Sequence, residues 1–272
     1  MLQSAIPKAT ILTLIDANRL LHEAKRHHDT SIIIQPIPLD SVRFLAFSDA
    51  SFASARNPDS HAGSIILATH RDLDKNLPCS ISPLMWSSRK IQKVVTSTLS
   101  AEAVALNSTL DQLSWLRLYW AWMLDNQVQW KHPKEALERL PISHTIATLP
   151  ESMPPSIAAT DCKSLFDLVT RNAPPNCAEF RTQLQARATK DLISEGVSMR
   201  WVHSGAQLAD SLTKVMSTAM LRETLAVGKY CLSDETEILK ERSTRRDRIK
   251  WLRDSTRDST NPHYSESLQN SK

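Results

Sequence analysis

A short apolar segment that ends in a carboxylate is the feature that most constrains what this chain can fold into. This segment lies within the stretch Arg43 to Phe52, where the apolar, strand-forming run Phe44–Phe47 leads to Asp49. This run is too short for a buried helix, so we predict a strand. Asp49 follows at the edge of a sheet that should be buried, where a charge is costly unless a positive group meets it. An aspartate that closes a strand is also a common turn former, so the rest of the chain must decide its role.

The composition limits the class of protein and the class of chemistry. The chain has 272 residues, of which 41% are hydrophobic and 23% are charged, as in a soluble globular protein with one full core. It contains only four glycines, which argues against a glycine-rich phosphate-binding loop. Its four cysteines lack paired metal-ligand spacing, which favours a reduced, intracellular protein.

Charge and hydropathy limit the kinds of partner that the protein is expected to bind. The net charge of +4 is compatible with a polyanionic partner but is too small to establish one. No stretch of the sequence is apolar enough over a sufficient length to span a membrane, so we expect no membrane partner.

The order of the predicted elements indicates an α/β domain with flanking segments. An amphipathic helix at about 10–26 and an extended segment come first, and we interpret 1–40 as a connector. The predicted elements that follow are strands at 44–49, 62–69 and 84–87, a helix at 98–125, a strand at 157–161, helices at 164–169 and 179–195, a strand at 197–202 and a helix at 207–227. The short connections between the first three strands suggest an antiparallel meander.

We therefore predict a domain over residues 41–228 with two irregular segments. The proline-rich stretch at about 127–155 is interpreted as a surface insertion. Residues 229–272 are first densely charged and then rich in serine and asparagine, so we expect a disordered tail that is dispensable beyond about Thr256.

Three further acids are placed to meet Asp49. Asp161 also ends a short apolar strand, and Asp210 opens the final helix. Glu102 lies in the first turns of the long helix among small apolar neighbours, which is unusual for a solvated glutamate. An interaction with the helix dipole is the alternative for Glu102.

The motifs that contain these acids resemble those of a known family. The order of strands and helices resembles the ribonuclease H fold, and the motifs look like the ribonuclease H domain of Ty1/copia-type retrotransposon Pol polyproteins. The motifs, in chain order, are Phe47–Ser51, Trp86–Lys90, Ser100–Leu106, Asp161–Ser164, and Trp201-Val202 followed by Gln207–Lys214. The last is the most specific. The resemblance covers about Thr10 to Leu225, and it identifies the chain as a C-terminal fragment that follows the reverse transcriptase, or a gene derived from one.

The resemblance implies a fold and an activity. It implies a ribonuclease H-like fold, with a mixed five-stranded sheet of an antiparallel meander plus parallel strands and helices on both faces. It makes Asp49, Glu102, Asp161 and Asp210 both the catalytic residues and the metal ligands. The implied reaction is hydrolysis of the RNA strand of RNA–DNA hybrids with two Mg²⁺ ions, or Mn²⁺ in their place. Carboxylates suit this role because hard divalent cations prefer oxygen ligands.

The resemblance also implies partners. It places Arg89, Lys90 and Lys93 where they can hold the phosphates of an RNA–DNA hybrid, although a solvated charge run is the alternative for them. A reverse transcriptase domain of the same polyprotein is a second expected partner. The expected location is the cytoplasm, including virus-like particles, with the nucleus as an alternative. For His203, at the end of the last strand, a catalytic role and a simple turn role are both open.

Two other functions remain open at this level. Retroelement remnants can lose activity while they keep the fold, so the chain can be a catalytically decayed nucleic-acid-binding module. It can also be another ribonuclease H-like nuclease or a transposase core. The presence of all four acids favours the hybrid nuclease over the first alternative. The basic loop before the Glu102 helix and the Gln207–Asp210 motif favour it over the second.

Overall fold

A mixed six-stranded sheet forms the centre of the protein. The computed structural model describes residues 6–53, 59–124, 154–193, 196–214 and 218–232. The strands are β1 (Val42–Ser51), β2 (His61–His70), β3 (Cys79–Lys90), β4 (Ser156–Thr160), β5 (Val197–Trp201) and β6 (Lys229–Tyr230). The α-helices are α1 (Ile11–Arg26), α2 (Thr98–Leu124), α3 (Lys163–Thr170), α4 (Phe180–Ile193), α5 (Asp210–Thr213) and α6 (Ala219–Val227).

The sheet changes from antiparallel to parallel at β1. The strand order is β5-β4-β1-β2-β3-β6. Strand β1 pairs antiparallel with β2 and parallel with β4, and β4 pairs parallel with β5. This arrangement confirms the predicted mixed sheet, in which an antiparallel meander adjoins parallel strands. It corrects the expected number of strands from five to six, because the two-residue strand β6 pairs with the start of β3.

Each face of the sheet carries its own hydrophobic core. On one face, Phe44 and Ala46 pack with residues of α2, α3 and α4, and the Phe44 ring meets the Trp120 ring edge-on at 5.6 Å. On the other face, Leu45 and Phe47 pack with the segments that surround α5 and α6. Strand β1 is therefore buried on both sides, and the expected placement of helices on both faces is confirmed.

Two element boundaries differ from the sequence prediction in ways that affect the site. Strand β1 continues to Ser51, so Asp49 lies within the strand and pairs with Gly63 rather than ending it. The final helix is not continuous, because Lys214 leaves α5 with extended backbone angles of φ −119° and ψ 143°. Residues 215–217 lie outside the described part of the chain.

The predicted connector helix is present as α1. The Thr10 side chain caps it by accepting a hydrogen bond from the backbone N–H of Thr13. None of its residues is buried, so its apolar positions, such as Ile11 and Leu12, are not covered by any described residue. Among the helices described, none combines the length and the hydropathy that a bilayer crossing demands.

Residues that follow the predicted domain end at 228 still pack with the domain. Tyr230 is fully buried, and its ring packs edge-on against Phe47 at 5.2 Å. Its hydroxyl donates a hydrogen bond to the carbonyl oxygen of Ala206 at 2.9 Å. Cys231 and Leu232 are buried too. A single strand pair over two residues gives little pattern in the sequence, whereas the tertiary contacts of Tyr230 are extensive. Residues 125–153, which make up most of the predicted insertion, and 233–272 of the predicted tail lie outside the described residues.

We predict that the C-terminal strand is required for stability. Truncation after Gly228 should destabilise the domain strongly, because removal of a buried aromatic side chain alone costs about 3–5 kcal/mol. Tyr230→Phe should cost only about 1 kcal/mol, the worth of one hydrogen bond. Urea unfolding of each protein measures these differences. A truncation after Thr256 serves as the control and should unfold like the full chain, and equal stability of the two truncations would contradict the prediction.

Candidate metal centre

Three of the four predicted acids converge at one end of the sheet. Strands β1 and β4 run parallel with Phe47 opposite Ala159, and Asp49 and Asp161 each follow two residues later. Their side chains are thus delivered at the same height of neighbouring strands. Helix α2 brings Glu102 to the same place, and ligand oxygens of Asp49, Glu102 and Asp161 lie within 4.8 Å of one another.

Glu102 is the most deeply buried member of this carboxylate cluster. It is 5% exposed, and one of its oxygens accepts a hydrogen bond from the backbone of Ala50. Its Oε2 atom is buried and has no hydrogen-bond partner among the described residues. Burial, followed by the charges of Asp49 and Asp161, raises the pKa of Glu102 to about 9. Such an orphaned oxygen is expected where a cation completes the site.

Asp49 is held from two sides by the end of α5. The Thr213 hydroxyl donates a hydrogen bond to Asp49 Oδ2, and Lys214 Nζ lies 3.2 Å from Asp49 Oδ1. Burial raises the pKa of Asp49 to about 6, and the Thr213 hydrogen bond and the Lys214 charge limit this rise. The carboxylate is therefore already partly compensated by its own protein.

Asp161 is oriented by a buried amide. It is only partly buried, and burial followed by the charge of Asp210 raises its pKa, while Lys214 and a hydrogen bond from Gln207 oppose the rise. Gln207 is 1% exposed, and its Nε2 also donates to the carbonyl oxygen of Ser48 at 2.9 Å. Its Oε1 accepts from the backbone N–H of Ala209 at 3.2 Å. One amide thus connects β1, Asp161 and the start of α5.

Asp210 lies beside the other three acids but outside their 4.8 Å group. It is buried at the start of α5, and its Oδ1 is 2.7 Å from Lys214 Nζ. Because Lys214 contacts both Asp49 and Asp210, its ammonium group lies between them. The structure therefore places three predicted ligands next to one another, and Lys214 links the fourth, Asp210, to Asp49.

A close approach of α5 to the sheet makes this arrangement possible. Gly63 is opposite Asp49 on β2, and a Cβ atom there would lie 2.7 Å from Cγ2 of Thr213 and 2.9 Å from Cβ of Leu212. Any larger residue would push α5 away from the strand. Gly63 therefore sets the distance between the two segments that carry Asp49 and Asp210.

The predicted nucleic-acid-binding residues precede α2 in the chain and are exposed. Arg89 and Lys90 end β3, and Lys93 lies in the following loop. Arg89 donates a hydrogen bond to Ser108 Oγ at 2.8 Å, and Lys90 pairs with Asp59 at 2.6 Å. Exposed contacts of this kind contribute little and exchange readily for others.

His203 has a structural role in its turn. Its Nδ1 accepts a hydrogen bond from the backbone N–H of Gly205 at 3.0 Å, which caps a short 3₁₀ turn. Its ring also meets Trp201 edge-on at 6.4 Å. These contacts agree with the turn alternative that the sequence left open.

Sequence reasoning missed the residues that position the acids: Gly63, Gln207, Thr213 and Lys214. The last three belong to the motif that ends in Lys214, but they were not assigned roles. The spacing of Lys214 from Asp210 places it one helical turn away, which is a signal for a local ion pair. Nothing in the sequence indicates the contact of either Thr213 or Lys214 with Asp49, 164 and 165 positions away.

Comparisons with known proteins found structural similarity alone. No family model matches the chain, and no curated protein sequence matches it. The N-terminal ribonuclease H domain of a Mycobacterium tuberculosis protein, solved as a fusion with maltose-binding protein, is 13% identical, with 68% of this chain and 97% of that chain covered and a TM-score of 0.39. Ribonuclease H1 of the archaeon Halobacterium salinarum is 12% identical, with 62% and 93% covered and a TM-score of 0.39.

A third similar structure is LC11 ribonuclease H1, which was isolated from compost and solved in complex with an RNA/DNA hybrid. It is 13% identical, with 62% of this chain and 92% of that chain covered and a TM-score of 0.38. These values describe a limited similarity of the backbone, and they assign no role to any residue. Function is therefore inferred from the carboxylate cluster and its surroundings.

Proposed function

We propose that this protein hydrolyses the RNA strand of RNA–DNA hybrids by a mechanism that depends on two divalent cations. The observation that carries the proposal is the convergence of Asp49, Glu102 and Asp161, with ligand oxygens within 4.8 Å of one another. A cluster of buried carboxylates is costly without a cation, because burial and mutual repulsion both disfavour the charged forms.

The residues present fit a hard divalent cation. All the available side-chain ligands are carboxylate oxygens, the donors that Mg²⁺ and Mn²⁺ prefer. Glu102 Oε2 is a buried acceptor without a partner among the described residues, and the partly exposed Asp161 lies toward solvent. Asp49, Glu102 and Asp161 would hold one ion, and Asp49 with Asp210 would hold the second. Bound ions of this kind activate a water nucleophile and stabilise the leaving 3′ oxygen.

The contribution of the chain itself is preorganisation. Thr213 fixes the orientation of the Asp49 carboxylate through Oδ2, and Gln207 fixes that of Asp161. The packing of α5 against Gly63 holds Asp210 close to the sheet. Because these groups are already in place, ligand binding does not have to order them, which is how positioned charges contribute most to catalysis.

Recognition of the hybrid should depend on its backbone. Arg89, Lys90 and Lys93 are exposed, and the side-chain contacts of the first two are with groups that phosphates can replace. Contacts with phosphates give affinity that depends on salt but not on base sequence. The 2′-hydroxyl groups would distinguish the RNA strand from DNA.

The motif order supports a place in a retrotransposon Pol polyprotein of the Ty1/copia type. Four of the five motifs each contribute one acid, either a member of the carboxylate cluster or Asp210 beside it. In that setting a reverse transcriptase domain would produce the hybrid that this domain degrades. Cytoplasmic virus-like particles are the location that fits this role.

We predict that Mg²⁺ binding at pH 7 releases about one proton, because the pKa of Glu102 is raised to about 9 and metal ligands must be deprotonated. Calorimetric titrations with MgCl₂ in buffers of different protonation enthalpy measure this release. Glu102→Gln should abolish it, whereas Glu23→Gln, in the exposed helix α1, should not.

The raised pKa of Glu102 also determines whether the stability of the metal-free protein rises or falls with pH. The folded chain keeps a proton on Glu102 that the unfolded chain loses, so stability should fall as the pH rises from 4.5 towards about 9. A wild-type stability that rises through this range, or that matches Glu102→Gln throughout, would contradict the assignment.

We predict that Asp49→Asn abolishes hybrid cleavage without unfolding the protein, because the amide keeps the shape but removes an anionic ligand. Without metal the variant should be more stable than the wild type, since the raised pKa of Asp49 shows that its charged form is disfavoured overall. With Mg²⁺ the order should reverse, since only the wild type gains the full binding free energy.

The measurements are thermal melts with and without MgCl₂, together with cleavage of a labelled hybrid. Asp72→Asn, at the opposite end of β2, is the matched control and should cleave like the wild type. Duplex DNA, duplex RNA and single strands serve as competing substrates. Cleavage of duplex DNA in preference to the hybrid would support the nuclease or transposase alternative, and hybrid binding without cleavage would support the decayed module.

We predict that the triple variant Arg89→Gln/Lys90→Gln/Lys93→Gln binds the hybrid more weakly and with a flatter salt dependence. Each lost phosphate contact should reduce the slope of log K against log salt by about 0.7–0.9. Fluorescence anisotropy at several salt concentrations measures the slope. The control variant Arg19→Gln/Lys25→Gln/Arg26→Gln makes the same change in net charge on α1 and should keep the wild-type slope. Equal slopes for the two variants would contradict phosphate binding by these three residues and would favour the alternative, a solvated charge run.

A further inference from the structure

Lys214 forms ion pairs with two of the four predicted metal ligands. Its Nζ lies 3.2 Å from Asp49 Oδ1 and 2.7 Å from Asp210 Oδ1. The side chains of the two aspartates are 1% and 4% exposed, whereas that of Lys214 is 43% exposed. The lysine therefore reaches from the surface into the space between two buried carboxylates.

The backbone fixes the base of this lysine. Its N–H donates a hydrogen bond to the carbonyl oxygen of Asp210 at 3.1 Å, which closes the single turn of α5. The preceding residue, Thr213, is bound to Asp49 and packs against Gly63. Because the Lys214 N–H and the neighbouring Thr213 are both held by hydrogen bonds, a change of position would involve the flexible side chain of Lys214 and not its backbone.

The charges explain why the ammonium group lies there. Burial lowers the pKa of Lys214, but its hydrogen bonds with Asp210 and Asp49 and their charges outweigh burial and hold the pKa above its ordinary range. Without this positive charge, Asp49 and Asp210 would face each other and Asp161 uncompensated. Breaking a buried charge pair in this way is strongly unfavourable.

We propose that the Lys214 ammonium group is a resident counter-cation that competes with the second divalent cation for Asp49 and Asp210. The inference rests on the proposed function, because it concerns the same carboxylates. The first ion, at Asp49, Glu102 and Asp161, can use the unpartnered Oε2 of Glu102. Among the described residues, the ion pairs of Lys214 are with Asp49 and Asp210, so two of the three ligands of this ion do not depend on the lysine. The second ion requires the oxygens that Lys214 contacts, and the ammonium group must leave before a like charge can enter.

This competition has two consequences for the protein. It allows the site to fold without divalent cations, because the lysine replaces part of the charge that the ions would supply. It also makes the two ions unequal, since the binding free energy of the second is reduced by the cost of breaking two ion pairs. Because the lysine side chain is partly exposed, its displaced ammonium group can be solvated at once.

Calorimetric titration with MgCl₂ tests the proposal on the full chain. In Lys214→Met, which keeps much of the stem and removes the charge, the affinity for the second Mg²⁺ should rise about fivefold or more, the usual range for coupling between two sites. In Lys214→Arg, which keeps the charge, it should stay near the wild-type value. Lys75→Met is the matched control, because Lys75 forms a 2.7 Å pair with Asp72 at the opposite end of β2.

Thermal melts separate competition from a merely structural role. Lys214→Met should melt below the wild type without divalent cations and should recover the difference when MgCl₂ is added. A purely structural lysine would leave the variant less stable under both conditions and would not raise its Mg²⁺ affinity. An Mg²⁺ affinity in Lys214→Met that equals or falls below that of the wild type would overturn the proposal.

A measurement on the wild type covers the case in which Lys214→Met does not fold. Acetylation of lysines by an active ester, followed by peptide mass spectrometry, reports how available each amine is. Lys214 should react slowly without divalent cations and several-fold faster with saturating MgCl₂, whereas Lys75 should not change. Equal rates for Lys214 with and without MgCl₂ would overturn the inference alone. A wild type that binds no Mg²⁺ would instead overturn the proposed function.

Discussion

The structure depends on the cost of placing carboxylates at one end of a strand that is buried on both faces. Strand β1 is covered by one core that includes Phe44 and by another that includes Phe47. Asp49 therefore cannot turn toward bulk solvent, and its charge must be compensated from within. The compensation comes from a short segment far along the chain, whose Thr213 and Lys214 bind the two oxygens of this carboxylate.

Compensation by α5 is possible because the sheet leaves room for it at one position. Gly63, opposite Asp49, presents no side chain on the surface that Thr213 and Leu212 cover. A helix of four residues has almost no stability of its own, so its place is determined by these contacts rather than by its propensity. The same contacts bring Asp210 to the cluster, and Gln207 secures the turn before it through Ser48. The contacts that fold this segment are therefore the same contacts that set the geometry of the site.

The sequence determined the elements well where their patterns are local. The paired apolar strands before Asp49 and Asp161 and the long helix with Glu102 were predicted from periodicity, and the parallel register then placed three acids together. Contacts that depend on tertiary packing could not be predicted in this way. Tyr230 lies beside the charged C-terminal segment of the sequence. It is buried because its ring packs against Phe47 and its hydroxyl donates a hydrogen bond to the Ala206 carbonyl oxygen. Lys214 closes the last motif of the sequence, and its contact with Asp49 depends on tertiary packing that no local pattern encodes.

The unequal surroundings of the acids give the site an internal order. Glu102 lies deepest, carries the pKa raised to about 9, and keeps an acceptor without a partner among the described residues. Asp49 and Asp210 share an ammonium group, so part of their charge is already balanced. The electrostatic demand for a cation is therefore greatest near Glu102 and smallest near Lys214. Because a first ion near Glu102 would also lower the pKa of its neighbours, it would strengthen their carboxylates as ligands for a second. If two ions bind as proposed, burial and charge would therefore set the order in which they bind.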